Sequence, residues 1–233
     1  MDHRLEFHIE NQPDFATLRV QLAAGQSMLA EPSAMATMSP NIKLVSSVKG
    51  GALGALSRTF SGESVVLNTF TAEGAPGEVW FAPGPMGDLR HVRMNGQGVV
   101  LQRGAFVASS PGVSLAAKWQ GLKGFFSGEG LALQAASGEG DLFFGTFGAI
   151  LEIDVKDNYV VDTGCLVAFE DTLRYTVTPL PKPGGGMNLK SSLVGGEGLV
   201  CRFSGTGRLW IQTRGVGPLL RWVHPFRPVP KKG

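Results

Sequence analysis

The chain has 233 residues, 43% of them hydrophobic, with 21 Lys and Arg against 19 Asp and Glu for a formal net charge of +2. Its 33 glycines are about twice the usual share and its 17% of charged residues falls below the usual quarter, which leaves little from which to build long solvated helices and favours an all-β fold. A domain of this size buries roughly 70% of its unfolded surface, so neither a disulfide framework nor a structural metal is required.

The first residues, Met1-Asp2-His3-Arg4-Leu5-Glu6-Phe7-His8, are charged and lack the apolar stretch of a secretory signal, so a cytoplasmic location is expected. No run reaches the roughly 18–20 apolar residues that span a bilayer. The most apolar one, Leu142 to Leu151, is broken by Gly145, Thr146 and Gly148. Segments 27–36, 98–107 and 159–168 share one pattern, two short apolar strands around a corner at Ser33, Gly104 and Gly164. Glycine suits such a corner because it takes a positive φ without a Cβ clash. A further strand is expected after each corner, over Ile42 to Val48, Val113 to Trp119 and Leu173 to Val177. In the last two, apolar and polar side chains roughly alternate, as they do when one sheet face is buried.

A second pattern alternates with the first. It comprises Gly62-Glu63 before Val65-Val66-Leu67, Gly128-Glu129 before Leu131-Ala132-Leu133, and Gly196-Glu197 before Leu199-Val200. Each is followed by another strand-like run, Glu78 to Phe81, Asp141 to Phe144 and Arg208 to Ile211. The breaks between them, at 73–77, 138–140 and 205–207, predict three β-hairpins. The whole chain therefore reads as three small β-sandwich-like units, at about 15–87, 88–148 and 149–215, followed by a basic tail over 216–233. Such units need neighbours to cover them, so they are expected to pack edge to edge and to continue across subunits.

The chemistry-bearing residues form no familiar constellation. His3, His8, His91 and His224 lack metal-ligand spacing, and Cys165 and Cys201 read as buried thiols. There is no Gly-x-Ser-x-Gly elbow, no Cys-x-x-Cys and no Gly-Lys dipeptide. The glycine clusters at 50–51, 184–186 and 195–196 fit tight turns at unit junctions better than phosphate cradles. Glu63, Glu129 and Glu197 could ring a cation but are read as turn acids that accept backbone hydrogen bonds or meet an arginine.

The junctions that lead into the Gly-Glu segments are the part most open to a functional reading. Lys49, Leu53, Leu56 and Arg58 in the first, Lys118, Trp119, Lys123 and Phe125 in the second, and Leu189 and Lys190 in the third combine apolar with basic side chains. Around a ring they would make a rim able to touch a partner protein or anionic lipid; the plainer reading is that they fill gaps between units. After Glu197 there is no acid, and Arg202, Arg208, Arg214, Arg221, Arg227, Lys231 and Lys232 give the last 36 residues a charge of +7 against −5 for the rest.

The stretches Gly25 to Pro32, Ser127 to Leu131, Val161 to Phe169 and Gly196 to Arg208 together resemble the family named for altered inheritance of mitochondria, in its bacterial uncharacterised branch. The resemblance runs from about Phe15 to Gly215 and leaves the segment from Arg221 to Arg227 outside. It implies a shortened double-stranded β-helix unit, similar to the tryptophan RNA-binding attenuation protein-like fold, present three times in a pseudo-threefold arrangement and closing into a ring-like homotrimer. It supplies no catalytic residue.

The expectation is therefore an all-β, threefold-repeated platform without intrinsic catalysis. The alternative is a binding protein for a small ligand or lipid in grooves between units, and an enzyme is the third class. No catalytic, cofactor-binding or metal-ligating residue is assigned, and no cofactor is expected. Partners are further copies of the chain, with an unknown protein or an anionic lipid surface as the outside contact and a peripheral membrane setting alongside the cytoplasm. Nucleic acid is disfavoured by the small net charge, and no transmembrane segment is expected.

Overall fold

The computed structural model describes residues 4–48, 66–118, 131–179 and 199–227. The described chain is nearly all β, in antiparallel sheets, with one short helix. No helix among the described residues is long and apolar enough to cross a membrane.

Strand β1 (Glu6–Glu10) lies against β2, with Phe7 opposite Val20. Next come β2 (Thr17–Leu22), β3 (Ser27–Ala30), β4 (Met35–Met38), β5 (Ile42–Val48), β6 (Val66–Ala72) and β7 (Gly77–Phe81). A middle stretch holds β8 (Leu89–Asn95), β9 (Val99–Gln102), β10 (Phe106–Ser109), β11 (Val113–Lys118) and β12 (Leu133–Gly145). The last stretch holds β13 (Ile150–Val155), β14 (Asn158–Asp162), β15 (Leu166–Glu170), β16 (Arg174–Pro179), β17 (Leu199–Ser204) and β18 (Gly207–Gln212). Helix α1 (Val216–Val223) and a 3-10 turn over His224–Phe226 follow. The alternation that makes these segments strands is plain in β2, where Leu18, Val20 and Leu22 are buried while Thr17, Arg19 and Gln21 are not.

In the first stretch β7 lies between β2 and β4, and β6 between β3 and β5. In the middle stretch the single strand β12 has both jobs. Its half from Glu139 onward pairs with β8 and β10, and its half before that with β9 and β11. In the last stretch β18 lies between β13 and β15, and β17 between β14 and β16. Strands β4, β10 and β15 each carry a bulge, at Ala36, Val107 and Val167. A bulge adds a residue on one strand and bends it.

The three expected hairpins are absent. The strands on either side of 73–77 and 205–207 belong to different sheets, and β12 runs straight through 138–140 as one strand. The cause is visible at Gly138 and Gly140, whose φ values of +107° and +135° bend the chain from one set of partners to another without reversing it. A Cβ on Gly138 would come within 2.2 Å of the Gly112 carbonyl oxygen. Of the three expected corners, Ser33 and Gly104 do take positive φ, at +71° and +84°. Gly164 does not; there the Asp162 carboxylate accepts the Gly164 N–H at 2.7 Å and shapes the turn by itself.

Two seams join the three stretches. β10 pairs with β3, Ala108 opposite Ala30 and Ser109 opposite Leu29. β15 pairs with β9, Ala168 opposite Leu101, Phe169 opposite Val100 and Glu170 opposite Val99. The buried side chains form three clusters, and each draws residues from across a seam: Val107 and Phe143 enter the first, Leu29 and Trp210 the second, Val100 and Leu133 the third.

Candidate assembly edges

Most of the residues singled out from sequence, Lys49, Leu53, Leu56, Arg58, Trp119, Lys123, Phe125, Leu189 and Lys190, lie outside the described residues. So do Gly62, Glu63, Gly128, Glu129, Gly196 and Glu197. Lys118 is placed by its backbone at the end of β11, opposite Leu133.

The most tightly built polar cluster in the described structure surrounds Asp141, buried one residue past Gly140. Its carboxylate accepts from His91 Nε2 at 2.8 Å, from Arg93 Nη1 at 2.9 Å and from Ser110 Oγ at 3.3 Å. Burial alone would push this carboxyl up, but the His91 hydrogen bond, the Arg93 and His91 charges and the Ser110 hydroxyl together hold it below its ordinary value. Ser110 and His91 both bond to the acid, and among the described residues no hydrogen bond joins Ser110 to His91. The cluster ties the end of β10 to β8 and β12.

Across the strands, Asp141 faces Arg93, and the same position in the other stretches holds Glu78 opposite Gln21 and Arg208 opposite Asp154. Glu78 accepts from Gln21 and from the Trp80 indole N–H, while Arg208 pairs with Glu170 at 2.7 Å. At this position each strand thus carries an ionic group two residues before an aromatic one, at Trp80, Phe143 and Trp210, with the sign of the charge reversed in the last stretch.

Both cysteines are free. Burial, helped by the Asp162 carboxylate, pushes the Cys201 thiol up to about 12 and raises Cys165 too, so neither offers a thiolate near neutral pH. Cys165 is half-buried rather than buried, because the Asp162 turn holds it at the rim of its cluster. Among the described residues no group of three His, Cys, Asp or Glu side chains is placed to hold a metal ion. A shallow groove of about 530 Å³ opens beside β1 and β2, lined by Arg4, Glu6, His8, Arg19 and Gln26 among others.

The surface with the clearest shape is a pair of strand edges. Among the described residues β4 pairs only with β7, and β14 only with β17. Aligning the stretches on their corners puts β4 at the position of β10 and β15, and β14 at the position of β3 and β9. The latter four strands make the two seams. Among the described residues the former two have no strand on that side, an edge with backbone N–H and C=O groups free to pair. Seam geometry predicts what would face what: Thr37 opposite Val161, Met38 opposite Val160 and Ser39 opposite Tyr159. Met38, Tyr159 and Val160 are exposed, whereas their counterparts Ser109, Phe169, Leu29 and Val100 are buried. Sequence aligns the segments around the corners but does not mark their edges, for which the apolar Met38, Tyr159 and Val160 are the available signal.

A family model described as mitochondrial biogenesis AIM24 matches residues 7–214. An uncharacterised protein of Streptococcus pyogenes serotype M6 is 26% identical over 223 residues, covering 91% of this chain and 87% of its own. A crystal structure of a Streptococcus pyogenes protein superimposes with a TM-score of 0.79 at 23% identity, over 96% of this chain and 100% of that one, which establishes a common fold.

Proposed function

Given that the chain belongs to the mitochondrial biogenesis AIM24 family, we propose that it is a non-catalytic scaffold whose copies join by pairing β4 of one with β14 of the next. In this reading the chain consists of three tandem units, 15–87, 88–148 and 149–215. Three sets of strands with the same choice of partners support the division. Within one chain each seam joins a unit to its successor, and among the described residues β4 of the first unit and β14 of the last have no strand beside them at the seam position.

The observation that carries the proposal is the match between those two edges. They occupy the positions that form both internal seams, they expose apolar side chains there, and they do not pair with each other in the chain. Closure then requires further copies. A head-to-tail contact of this kind makes a ring when its rotation closes, and the homotrimer expected from the family resemblance is the ring we propose. The junction residues Lys49, Arg58, Lys118, Lys123, Phe125 and Lys190 would then recur around it as a contact surface for an outside partner.

Native mass spectrometry with designed charges tests the edges. Met38→Lys with Val160→Lys sets like charges opposite each other across the contact and is expected to give monomers; Met38→Lys with Val160→Glu restores an opposite-charge pair and is expected to keep the oligomer. A wild-type chain that is monomeric at micromolar concentration, or two variants that assemble equally, would overturn the edge reading.

A further inference from the structure

Helix α1 and the turn after it are the least covered apolar elements of the described chain. With about 3.6 residues per turn, Val216, Leu219, Leu220, Trp222 and Val223 fall on one side, and Arg221 on the other. Trp222 is 67% and Phe226 75% exposed, Leu220 and Val216 are exposed too, and no residue of the helix is buried. Trp222 and Phe226 lie together with ring centroids 5.8 Å apart, so the aromatic surface is continuous.

The residues just before the helix are tied to the sheet. The Thr213 N–H donates to the Ala149 carbonyl at 3.1 Å, the Arg214 N–H to the Phe147 carbonyl at 3.2 Å, and the Gln212 side chain accepts the Phe147 N–H at 3.0 Å. The chain is therefore held to the sheet as far as Arg214, and the helix that follows has an exposed apolar face. Arg221 lies on the opposite side of the helix, Arg214 and Arg227 bracket the segment in sequence, and among the described residues none of the three meets a carboxylate. Lys231 and Lys232 follow in sequence, and no acid occurs after Glu197.

We infer that this segment, Val216 to Phe226, is an interfacial anchor for an anionic lipid bilayer. Trp and Phe side chains favour the headgroup boundary, guanidinium groups bind phosphate through paired N–H donors, and an amphipathic helix with this division of faces lies flat in the interface. A protein partner fits less well. Eight helical residues and a three-residue turn offer only a fraction of the roughly 800 Å² that each side contributes to a stable complex. A lipid surface needs no matching shape and gains from several copies acting together. The inference stands apart from the edge reading, since it rests on a different element and applies to a single chain.

Co-sedimentation of the full chain with unilamellar vesicles tests it, comparing pure phosphatidylcholine with a mixture holding about 30% phosphatidylglycerol. Binding is expected to the anionic vesicles alone and to weaken in high salt. Trp222→Ser with Phe226→Ser is expected to reduce partitioning at least tenfold, and Arg221→Glu with Arg227→Glu at least fivefold. Light scattering without lipid is expected to give the wild-type mass for both variants, whose changed side chains touch no core. Absence of binding, equal binding by the variants, or a change of mass without lipid would overturn the inference; the last would assign the face to a contact between copies.

Discussion

Val100 and Val160 are the same residue at the same aligned place, on β9 and β14, yet Val100 is 1% exposed and Val160 46%. The difference is the strand beside them. Val100 lies opposite Phe169 in a seam, whereas the outer edge of β14 has no partner among the described residues. Side-chain burial in this fold is thus decided by edge pairing more than by residue type. Val160 is exposed because, among the described residues, it lacks the neighbouring strand that covers Val100.

Substitutions within a finished seam should weaken the chain itself. Phe169 is fully buried against Tyr175 and Phe203, with ring centroids 5.1 and 5.0 Å away. Phe169→Ala is expected to cost about 4 kcal/mol in urea unfolding; a loss below about 1 kcal/mol would mean that the seam adapts without its aromatic filling.

Asp141→Ala should come next, at about 3 kcal/mol, because it removes the buried carboxylate that His91, Arg93 and Ser110 share and frees the end of β10. Arg93 is partly exposed and can rehydrate, which moderates the loss. The pH dependence follows from the lowered carboxyl. The Asp141 contribution is complete above its unfolded value and is lost as pH falls through the still lower folded value, so an acid titration followed by circular dichroism should show the wild type losing this advantage over the variant.

The smallest effect sharpens the comparison at Glu31, which follows β3 and whose N–H donates to the Val107 carbonyl beside the first seam. Burial pushes its carboxyl up to about 7 from 4.5. A raised acid favours its neutral form in the fold, so its stabilisation is complete below 4.5 and is lost as pH rises toward 7. Glu31→Gln should be more stable than wild type above pH 7 by about 1 kcal/mol, with the gap closing toward pH 4.5 in thermal melts. A gap that is constant with pH would show that Glu31 does not titrate within the seam.

Local periodicity carried much of this architecture. Segments 27–36, 98–107 and 159–168 are β3–β4, β9–β10 and β14–β15, and the corners at Ser33 and Gly104 follow from the need for positive φ. Partner choice was not legible, since a glycine-flanked break between two apolar runs has the form of a hairpin, while β6 finds β3 about 40 residues earlier in the chain. Gly164 misled because a neighbouring carboxylate can replace a left-handed backbone. The open edges were hidden for the same reason that Val100 and Val160 look alike: sequence gives the side chain but not the neighbouring strand. The tail reads as basic, and a helix in it is not excluded by Pro218, which falls in the first helical turn, where its missing N–H costs nothing.

Strand β12 gives the middle of the chain a mechanical character that its flanks lack. It is hydrogen-bonded to four strands, and no loop interrupts its 13 residues. Between β6 and β7, and between β17 and β18, a few residues of slack allow one sheet to loosen while the other holds. Through β12 a disturbance in either half is transmitted along a taut backbone to the other. The middle stretch is therefore expected to open as one cooperative block, a stiff keystone whose amides exchange together in hydrogen-exchange measurements, while its two neighbours open one layer at a time.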